Sequence, residues 1–268
     1  MSAYSLYALP ADDLATTAVI TASAEDSGYV AANLAQAYDA NLNRPAKLTT
    51  TSGNWVLDLG TAQTINYAAL VYHNLDAALD VKLEGNATDS WGAPSFSQAF
   101  TIPTWQADDW TLSPYITCSG TRTFRYWRLL VNAANSLTVD VRRLMLLSTL
   151  RTFPADIRMG YKISELHRDI GQETDLGIPT FYDLGGKERM IDGETPTVGT
   201  AVETFRELRR AVSGRVKPWL FIPDSRVNDA WYVRFTEATG SGQHWSFPQL
   251  YTPQVFSIRE VSRGLPWP

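Results

Sequence analysis

The stretch GNWVLDLGTAQTINYAALVYHN, residues 53–74, decides the fold of the first half of the chain. Trp55, Leu57 and Leu59 alternate with their neighbours, and the second part of the stretch repeats this pattern. A period of two residues indicates a β-strand, because successive side chains point to opposite faces of a sheet. We expect two consecutive strands that end at His73 and Asn74. This polar pair can either contact a ligand or close a turn, since Asn is a preferred turn residue.

Further β-type segments fill the rest of the first half. The segments DVKLEG, FRYWRLLV and LTVDVRRLML each place charged residues on one side and apolar residues on the other, and only YVAANLAQAYD looks helical. This pattern is typical of antiparallel strands with one solvent-exposed face. Several short strands without alternating helices predict an antiparallel β-sandwich in a mainly β chain.

The composition changes near residue 149, where the segment RTFPADIRMGYK follows the last strand of the first half. We therefore predict two domains, residues 1–148 and residues 149–268. The second domain has one amphipathic helix near residues 200–213, with an apolar stripe of Ala201, Phe205, Leu208 and Val212. Strands are expected in TFYDLGG, KPWLFIPD, DAWYVRFTEA and PQVFSIREVS, which makes this half a small α+β domain.

The bulk properties exclude several classes of function. The chain has 23 Lys and Arg against 28 Asp and Glu, and no basic run interleaved with aromatic residues, so we expect no nucleic-acid partner. No basic leader precedes an apolar segment, and no apolar run approaches about 18 residues, so we expect synthesis in a cytoplasm without membrane insertion. The single cysteine, Cys118, is expected to be a buried thiol.

No recognisable catalytic or cofactor motif is present. The three histidines lie far apart and lack metal-ligand spacing, and neither a nucleotide-binding glycine loop nor a nucleophile elbow occurs. The adjacent acids Asp12 and Asp13, and likewise Asp108 and Asp109, are expected to face solvent on turns rather than to act as general acid and base. The sequence thus predicts a protein that is not an enzyme and that binds neither a cofactor nor a metal.

Nine tryptophans in such a chain favour a function carried out by surfaces, because large flat side chains serve protein interfaces and sugar stacking. Trp55 and Trp127 lie in predicted strands and are expected in the core. The tryptophans of residues 86–110 either pin a long loop to the sandwich or contact a ligand. The candidate glycan-binding residues, aromatic for stacking or polar for hydroxyl groups, are His73, Asn74, Asp76, Asp89, Trp91, Trp105 and Trp110.

The order of segments in the first half resembles a known family. VAANLAQAYDANLN, WVLDLG, INYAALVYHN, VKLEGNATDSW and FRYWRLLV follow one another as similar segments do in the discoidin family, the F5/8 type C or galactose-binding-like domains. The resemblance implies a galactose-binding-like jelly roll. It also raises the alternative that the protein is a carbohydrate-binding module that recognises a host-surface glycan without catalysis.

The second half resembles the β-domains of distal-tail and tail-tip proteins of tailed bacteriophages. The helix segment FRELRRAV, then GRVKPWLFIPD, AWYVRFTEA and the closing VFSIREVSRG carry this likeness. It implies a structural component of the virion tail, part of a tail tip or baseplate. Such a protein forms a ring-like homo-oligomer, contacts the tail tube, hub and fibres, and presents the sandwich outward to a host-surface glycan.

Overall fold

The computed structural model describes residues 5–36, 44–76, 80–102, 113–153, 162–166, 169–173, 179–183, 188–194, 199–213, 216–224, 228–236 and 255–260. The strands in these ranges are β1 (Leu6–Ala8), β2 (Val19–Ala22), β3 (Ala46–Lys47), β4 (Gly53–Thr64), β5 (Tyr67–His73), β6 (Val81–Asn86), β7 (Phe96–Ala99), β8 (Tyr115–Thr117), β9 (Thr123–Val131), β10 (Asp140–Leu147), β11 (Arg151–Thr152), β12 (Lys162–Leu166), β13 (Asp169–Glu173), β14 (Pro179–Asp183), β15 (Glu188–Glu194), β16 (Trp219–Ile222), β17 (Trp231–Phe235) and β18 (Val255–Glu260). The α-helix α1 spans Gly199–Ala211, and 3-10 helices span Pro10–Asp12, Leu14–Thr17 and Ala31–Ala35.

The first half of the chain forms an antiparallel β-sandwich, as predicted. One sheet has the strand order β2-β4-β9-β6-β7 and the other the order β3-β10-β5-β8. The two strands of residues 53–74 therefore lie in different sheets. Trp55, Leu57, Trp127 and Leu129 of the five-stranded sheet pack on Leu70 of the four-stranded sheet in a fully buried core. The prediction that Trp55 and Trp127 are core residues is confirmed.

The second half contributes most of a seven-stranded sheet with the order β11-β1-β16-β17-β18-β15-β12. Phe205 and Leu208 of helix α1, and Val212 directly after it, are buried against this sheet, so the predicted helix is present with three residues of its apolar stripe. The side chain of Ala201, the fourth residue of the stripe, lies outside the described part of the chain. The N-terminal strand β1 lies inside this sheet, with Leu6 opposite Ile222. The boundary near residue 149 stays a prediction, but the sheet of the second half includes a strand from the start of the chain.

A third apolar core joins the sandwich to the seven-stranded sheet. Ala69 and Val71 of β5 and Met145 of β10 pack with Leu220 of β16 and Tyr232 of β17. The layers therefore follow the order five-stranded sheet, four-stranded sheet, seven-stranded sheet and helix. The prediction that the strand in LTVDVRRLML has one solvent-exposed face is wrong, because the seven-stranded sheet covers that face.

An ion pair lies at this covered face. The side chains of Arg143 and Asp13 are 2% and 0% exposed, and Arg143 Nη2 donates to Asp13 Oδ2 at 2.6 Å. Asp13 also accepts the N–H groups of Ala15 and Leu146, each at 3.1 Å. The guanidinium of Arg143 lies 5.2 Å from the ring centroid of Tyr232, on the other side of the junction. A charge buried this deeply requires an opposite charge as its partner, and Arg143 and Asp13 neutralise each other in this way.

The acids Asp12 and Asp13 do not face solvent, so that prediction is also wrong. Both are buried, and Asp12 Oδ1 accepts a hydrogen bond from Arg151 Nη2 at 3.0 Å. Arginines near the end of the sandwich sequence hold both carboxylates, a pairing across about 130 residues that the local sequence does not reveal. Asp108 and Asp109 lie outside the described residues. Cys118 is buried as expected, and burial raises the pKa of its thiol to about 12.

Candidate functional site

The structure places the predicted site residues in two groups at opposite ends of β6. His73, Asn74 and Asp76 precede the strand, whereas Asp89 and Trp91 follow it. A strand rises about 3.3 Å per residue, so β6 separates the groups by about 20 Å. The five candidates among the described residues therefore do not form one site. Two of them, Trp105 and Trp110, lie outside the described residues.

The side chains of His73 and Asn74 form hydrogen bonds within the turn after β5 and from this turn to residues 138 and 140. Asn74 Oδ1 accepts the N–H of Asp140 at 2.8 Å, and its Nδ2 donates to the carbonyl of Thr138 at 2.7 Å. His73 is buried, and its Nδ1 accepts the N–H of Leu75 at 3.2 Å. The His73 contact lies within the turn, whereas Asn74 connects the turn to Thr138 and Asp140.

Asp76 extends this polar cluster to the loop of residues 132–139. Its carboxylate accepts the backbone N–H of Ser136 at 2.7 Å and the Ser136 hydroxyl at 3.0 Å. Its own N–H donates to Asn135 Oδ1 at 3.0 Å. The loops at this end of the sandwich are thereby tied to one another, and Leu137 projects from them with 54% of its surface exposed.

The second group is built by the loop between β6 and β7. Trp91 Nε1 donates to Asp89 Oδ1 at 2.6 Å, which fixes the indole relative to its own loop. Asn86, the last residue of β6, forms hydrogen bonds with this loop. Its Nδ2 donates to the carbonyl of Ser90 at 2.6 Å, and its Oδ1 accepts the Ser95 hydroxyl at 2.9 Å. The structure thus joins two predicted residues, Asp89 and Trp91, in one ordered loop.

The Trp91 ring rests on an ion pair of the five-stranded sheet. The guanidinium carbon of Arg128 lies 4.5 Å from the Trp91 ring centroid, within the range of a cation–π contact. Arg128 in turn donates from Nε to Glu84 Oε2 at 2.7 Å, and its Nη2 bonds the same oxygen. The side chains of Glu84 and Arg128 are only 6% and 13% exposed. The indole is therefore held from its edge and from one face, while Trp91 keeps an intermediate exposure.

A second unit of the same kind lies on the neighbouring strands. Arg125 donates to both oxygens of Asp58 at 2.7 Å, and its guanidinium carbon lies 4.8 Å from the Tyr126 ring centroid. The hydrogen bonds from Arg125 lower the pKa of Asp58. Tyr126 is paired in register with Asn86, next to the Trp91 loop. The residues of what we call the aromatic face are Asp58, Glu84, Trp91, Arg125, Tyr126 and Arg128.

Sequence reasoning missed Glu84 and Arg128, which support Trp91. The available signal was the alternation in VKLEG and FRYWRLLV, which turns Glu84 and Arg128 outward from the core. What the alternation does not give is the register that sets Glu84 opposite Arg128 on adjacent strands. A contact between these residues therefore becomes visible only in the sheet.

The described part of the chain contains neither a metal-binding cluster nor a membrane-spanning helix. No group of three or more His, Cys, Asp or Glu residues in these ranges is arranged to hold a metal ion. No helix among the described residues is long and apolar enough to cross a membrane.

Comparisons with known proteins give likenesses to solved structures only. No protein-family model matches the chain, and no curated protein matches it. The lectin domain of lectinolysin in complex with Lewis B antigen is 13% identical, with a TM-score of 0.40, and the match covers 51% of this chain and 96% of that domain. A fucose-binding module of Streptococcus pneumoniae is 11% identical, with a TM-score of 0.40, and the match covers 51% of this chain and 98% of the module.

A third similar structure is a family 32 carbohydrate-binding module of Clostridium perfringens in complex with galactose. It is 10% identical, with a TM-score of 0.38, and the match covers 55% of this chain and 99% of the module. Each likeness thus spans about half of the chain. The fold class of the protein is mainly β, with antiparallel sheets and one described α-helix.

Proposed function

We propose that the protein binds glycans without catalysis and that Trp91 is its stacking residue. The observation that carries the proposal is the geometry of this one side chain. Arg128 covers one face of the indole at 4.5 Å, Asp89 fixes its N–H at 2.6 Å, and the residue is still partly exposed. The face of the ring opposite Arg128 is the one that a ligand can use.

The chemistry of this arrangement suits a sugar. A pyranose presents a flat apolar face of C–H groups, which packs on an aromatic ring, and a rim of hydroxyl groups, which need hydrogen-bond partners. Asp89 lies at the edge of the ring with an exposed carboxylate, so its second oxygen can accept a hydroxyl hydrogen bond. Because Trp91 is already held in place, binding loses little side-chain entropy.

The structural role in a phage tail stays a prediction from the sequence. It comprises the ring-like homo-oligomer, the other tail proteins as partners and the location in the virion, and it is compatible with a sandwich that binds a host-surface glycan. Mass spectrometry of purified virions, together with electron microscopy of the isolated protein, tests it. Presence in particles and closed rings are expected, whereas a protein that is absent from particles excludes the role.

The glycan proposal is tested by comparing the intact protein with Trp91→Ala and Tyr29→Ala on a glycan array, followed by calorimetry with the best ligand. Tyr29 is the matched control, because it too is a partly exposed aromatic residue with a cation near its ring, Lys47 Nζ at 5.4 Å. We expect Trp91→Ala to bind roughly 5- to 150-fold more weakly, since stacking on an aromatic side chain contributes about 1–3 kcal/mol. Tyr29→Ala should bind as the unaltered protein does.

Two outcomes contradict the proposal. One is the absence of binding to any glycan by a folded protein, as judged by circular dichroism. The other is glycan binding that both variants retain, because the contact then lies elsewhere on the molecule.

A further inference from the structure

The charges around Trp91 carry an inference about which sugars the protein selects, and this inference rests on the proposed function. The arginine side chains of this sheet near Trp91 already form ion pairs with carboxylates. Arg128 is bonded to Glu84, and Arg125 donates to both oxygens of Asp58. At the far end of β6, Lys82 Nζ lies 2.8 Å from an oxygen of Asp80.

Asp89 differs from these acids. It is exposed, and its contact in the structure is the hydrogen bond from the Trp91 indole N–H. Within the described ranges, no Lys, Arg or His side chain forms an ion pair with it. The aromatic face therefore has balanced charges, and Asp89 adds one negative charge at the edge of the stacking ring.

We propose that the site selects amino sugars, that is, hexosamine units with a free, protonated amine. The sugar ring stacks on Trp91 while its ammonium group donates to Asp89, and a charge-assisted hydrogen bond of this kind is stronger than one from a neutral hydroxyl. A uronic acid gains no such bond, because the arginines of the aromatic face are already paired and Asp89 repels its carboxylate. Asp89 is thus the specificity-determining residue.

The experiment measures the affinity of the full chain for three oligosaccharides of equal length: a glucosamine oligomer, its N-acetylated form and a galacturonate oligomer. We expect the glucosamine oligomer to bind about two- to fivefold more tightly than the N-acetylated one, the range of an exposed ion pair. The galacturonate oligomer should bind most weakly. Raising the salt concentration should reduce the preference, because exposed charges are screened.

The deciding variant is Asp89→Asn, which removes the charge but keeps a side-chain oxygen that can accept the Trp91 N–H. It should bind the glucosamine and N-acetylated oligomers equally. The matched control is Asp26→Asn, which removes the same charge from an Asp that accepts the N–H of Gly28 at 3.0 Å in a turn remote from Trp91. This control should keep the preference.

The failures of the two proposals are distinguishable. If binding depends on Trp91 but glucosamine is not preferred, or if the preference survives in Asp89→Asn, the selectivity is wrong and the glycan site stands. If none of the three oligomers binds and the glycan array is also blank, both proposals are wrong.

Discussion

Gly85 lies in β6 at a point where the sandwich core leaves no room for a side chain. A Cβ atom at this position would lie 2.6 Å from Phe124 Cδ2 and 3.2 Å from Trp127 Cζ3. Both rings are buried, so neither moves aside freely. We expect Gly85→Ala to lower the free energy of unfolding by about 1–3 kcal/mol, the usual cost of overpacking, as measured by urea denaturation.

The control for this prediction is Gly92→Ala, in the loop next to Trp91. Apart from the two neighbours of Gly92 in the chain, no heavy atom of the described residues lies within 4 Å of a Cβ atom at this position, so the unfolding midpoint should not change. Equal free energies of unfolding for the two variants would contradict the close packing of Phe124 against Gly85.

Asp140 gives the protein a pH dependence of known sign. Burial raises the pKa of its carboxyl from 3.8 to about 6, against the opposing charges of Arg142 and Lys47. The folded state therefore favours the protonated form, and the contribution of Asp140 to stability is present below about pH 4 and lost as the pH rises through about 6. We expect Asp140→Asn to raise the free energy of unfolding at pH 7 and to leave it nearly unchanged at pH 4.

Thermal unfolding at the two pH values measures this difference. The backbone hydrogen bonds between residue 140 and Asn74 are retained in the variant, so the comparison isolates the carboxyl group. A variant that is less stable than the unaltered protein at pH 7 would show that the charged carboxylate is stabilising in this position.

At the residue scale, the sequence predicted part of the candidate site. Asp89 and Trp91 are candidates from the sequence that lie two residues apart in one loop, and the direct hydrogen bond between them is seen only in the structure. The contact of Arg128 with the Trp91 ring could not be predicted from the sequence, because it depends on the register between β6 and β9. The sequence suggests that Asn74 closes a turn, but its side-chain partners Thr138 and Asp140 lie more than 60 residues further along the chain.

At the scale of elements, the buried ion pair of Arg143 with Asp13 connects β10 to the start of the 3-10 helix Leu14–Thr17. We expect Arg143→Met to lower the free energy of unfolding by about 3–5 kcal/mol, because Asp13 is left as an uncompensated buried charge. Adding Asp13→Asn to this variant should recover part of the loss. Urea denaturation of both variants is the measurement, and a loss below 1 kcal/mol in Arg143→Met would contradict the buried pair.

The elements themselves were predictable where the pattern is local. Periodicity predicts β4, β5 and α1, and four strands of the second half, β14, β16, β17 and β18, lie in the segments for which strands are predicted. Strands β12, β13 and β15 lie outside those segments and are not predicted from the sequence. Strand β1 was not predicted, because three residues carry too little pattern and their partners, β11 and β16, lie far along the chain. The prediction that one face of β10 is exposed to solvent is wrong for a related reason. Alternation shows that the two faces of a strand differ in polarity, but it does not show which other part of the chain covers the more polar face.

At the scale of the whole molecule, the three apolar cores share their sheets and should unfold together. The four-stranded sheet contributes to the sandwich core and to the junction, while β16 and β17 contribute to the junction and to the core under α1. We therefore expect one cooperative transition in urea. Two probes report on it: the circular dichroism of α1 and the reactivity of the Cys118 thiol, which is buried in the sandwich core.

The midpoints from the two probes should coincide. A helix signal that disappears at a lower urea concentration than the one at which Cys118 becomes reactive would contradict a shared junction. It would also favour two independent domains divided near residue 149.

The central claim is that the protein binds glycans through Trp91, and calorimetric titration of the best array ligand into the unaltered protein and Trp91→Ala tests it most directly. The account predicts saturable binding by the unaltered protein and an affinity roughly 5- to 150-fold lower in the variant, from the loss of the stacking contact. Circular dichroism of Trp91→Ala should show an unchanged fold, since the ring lies on the outside of the five-stranded sheet. Equal affinities of the two folded proteins for the ligand would contradict the claim.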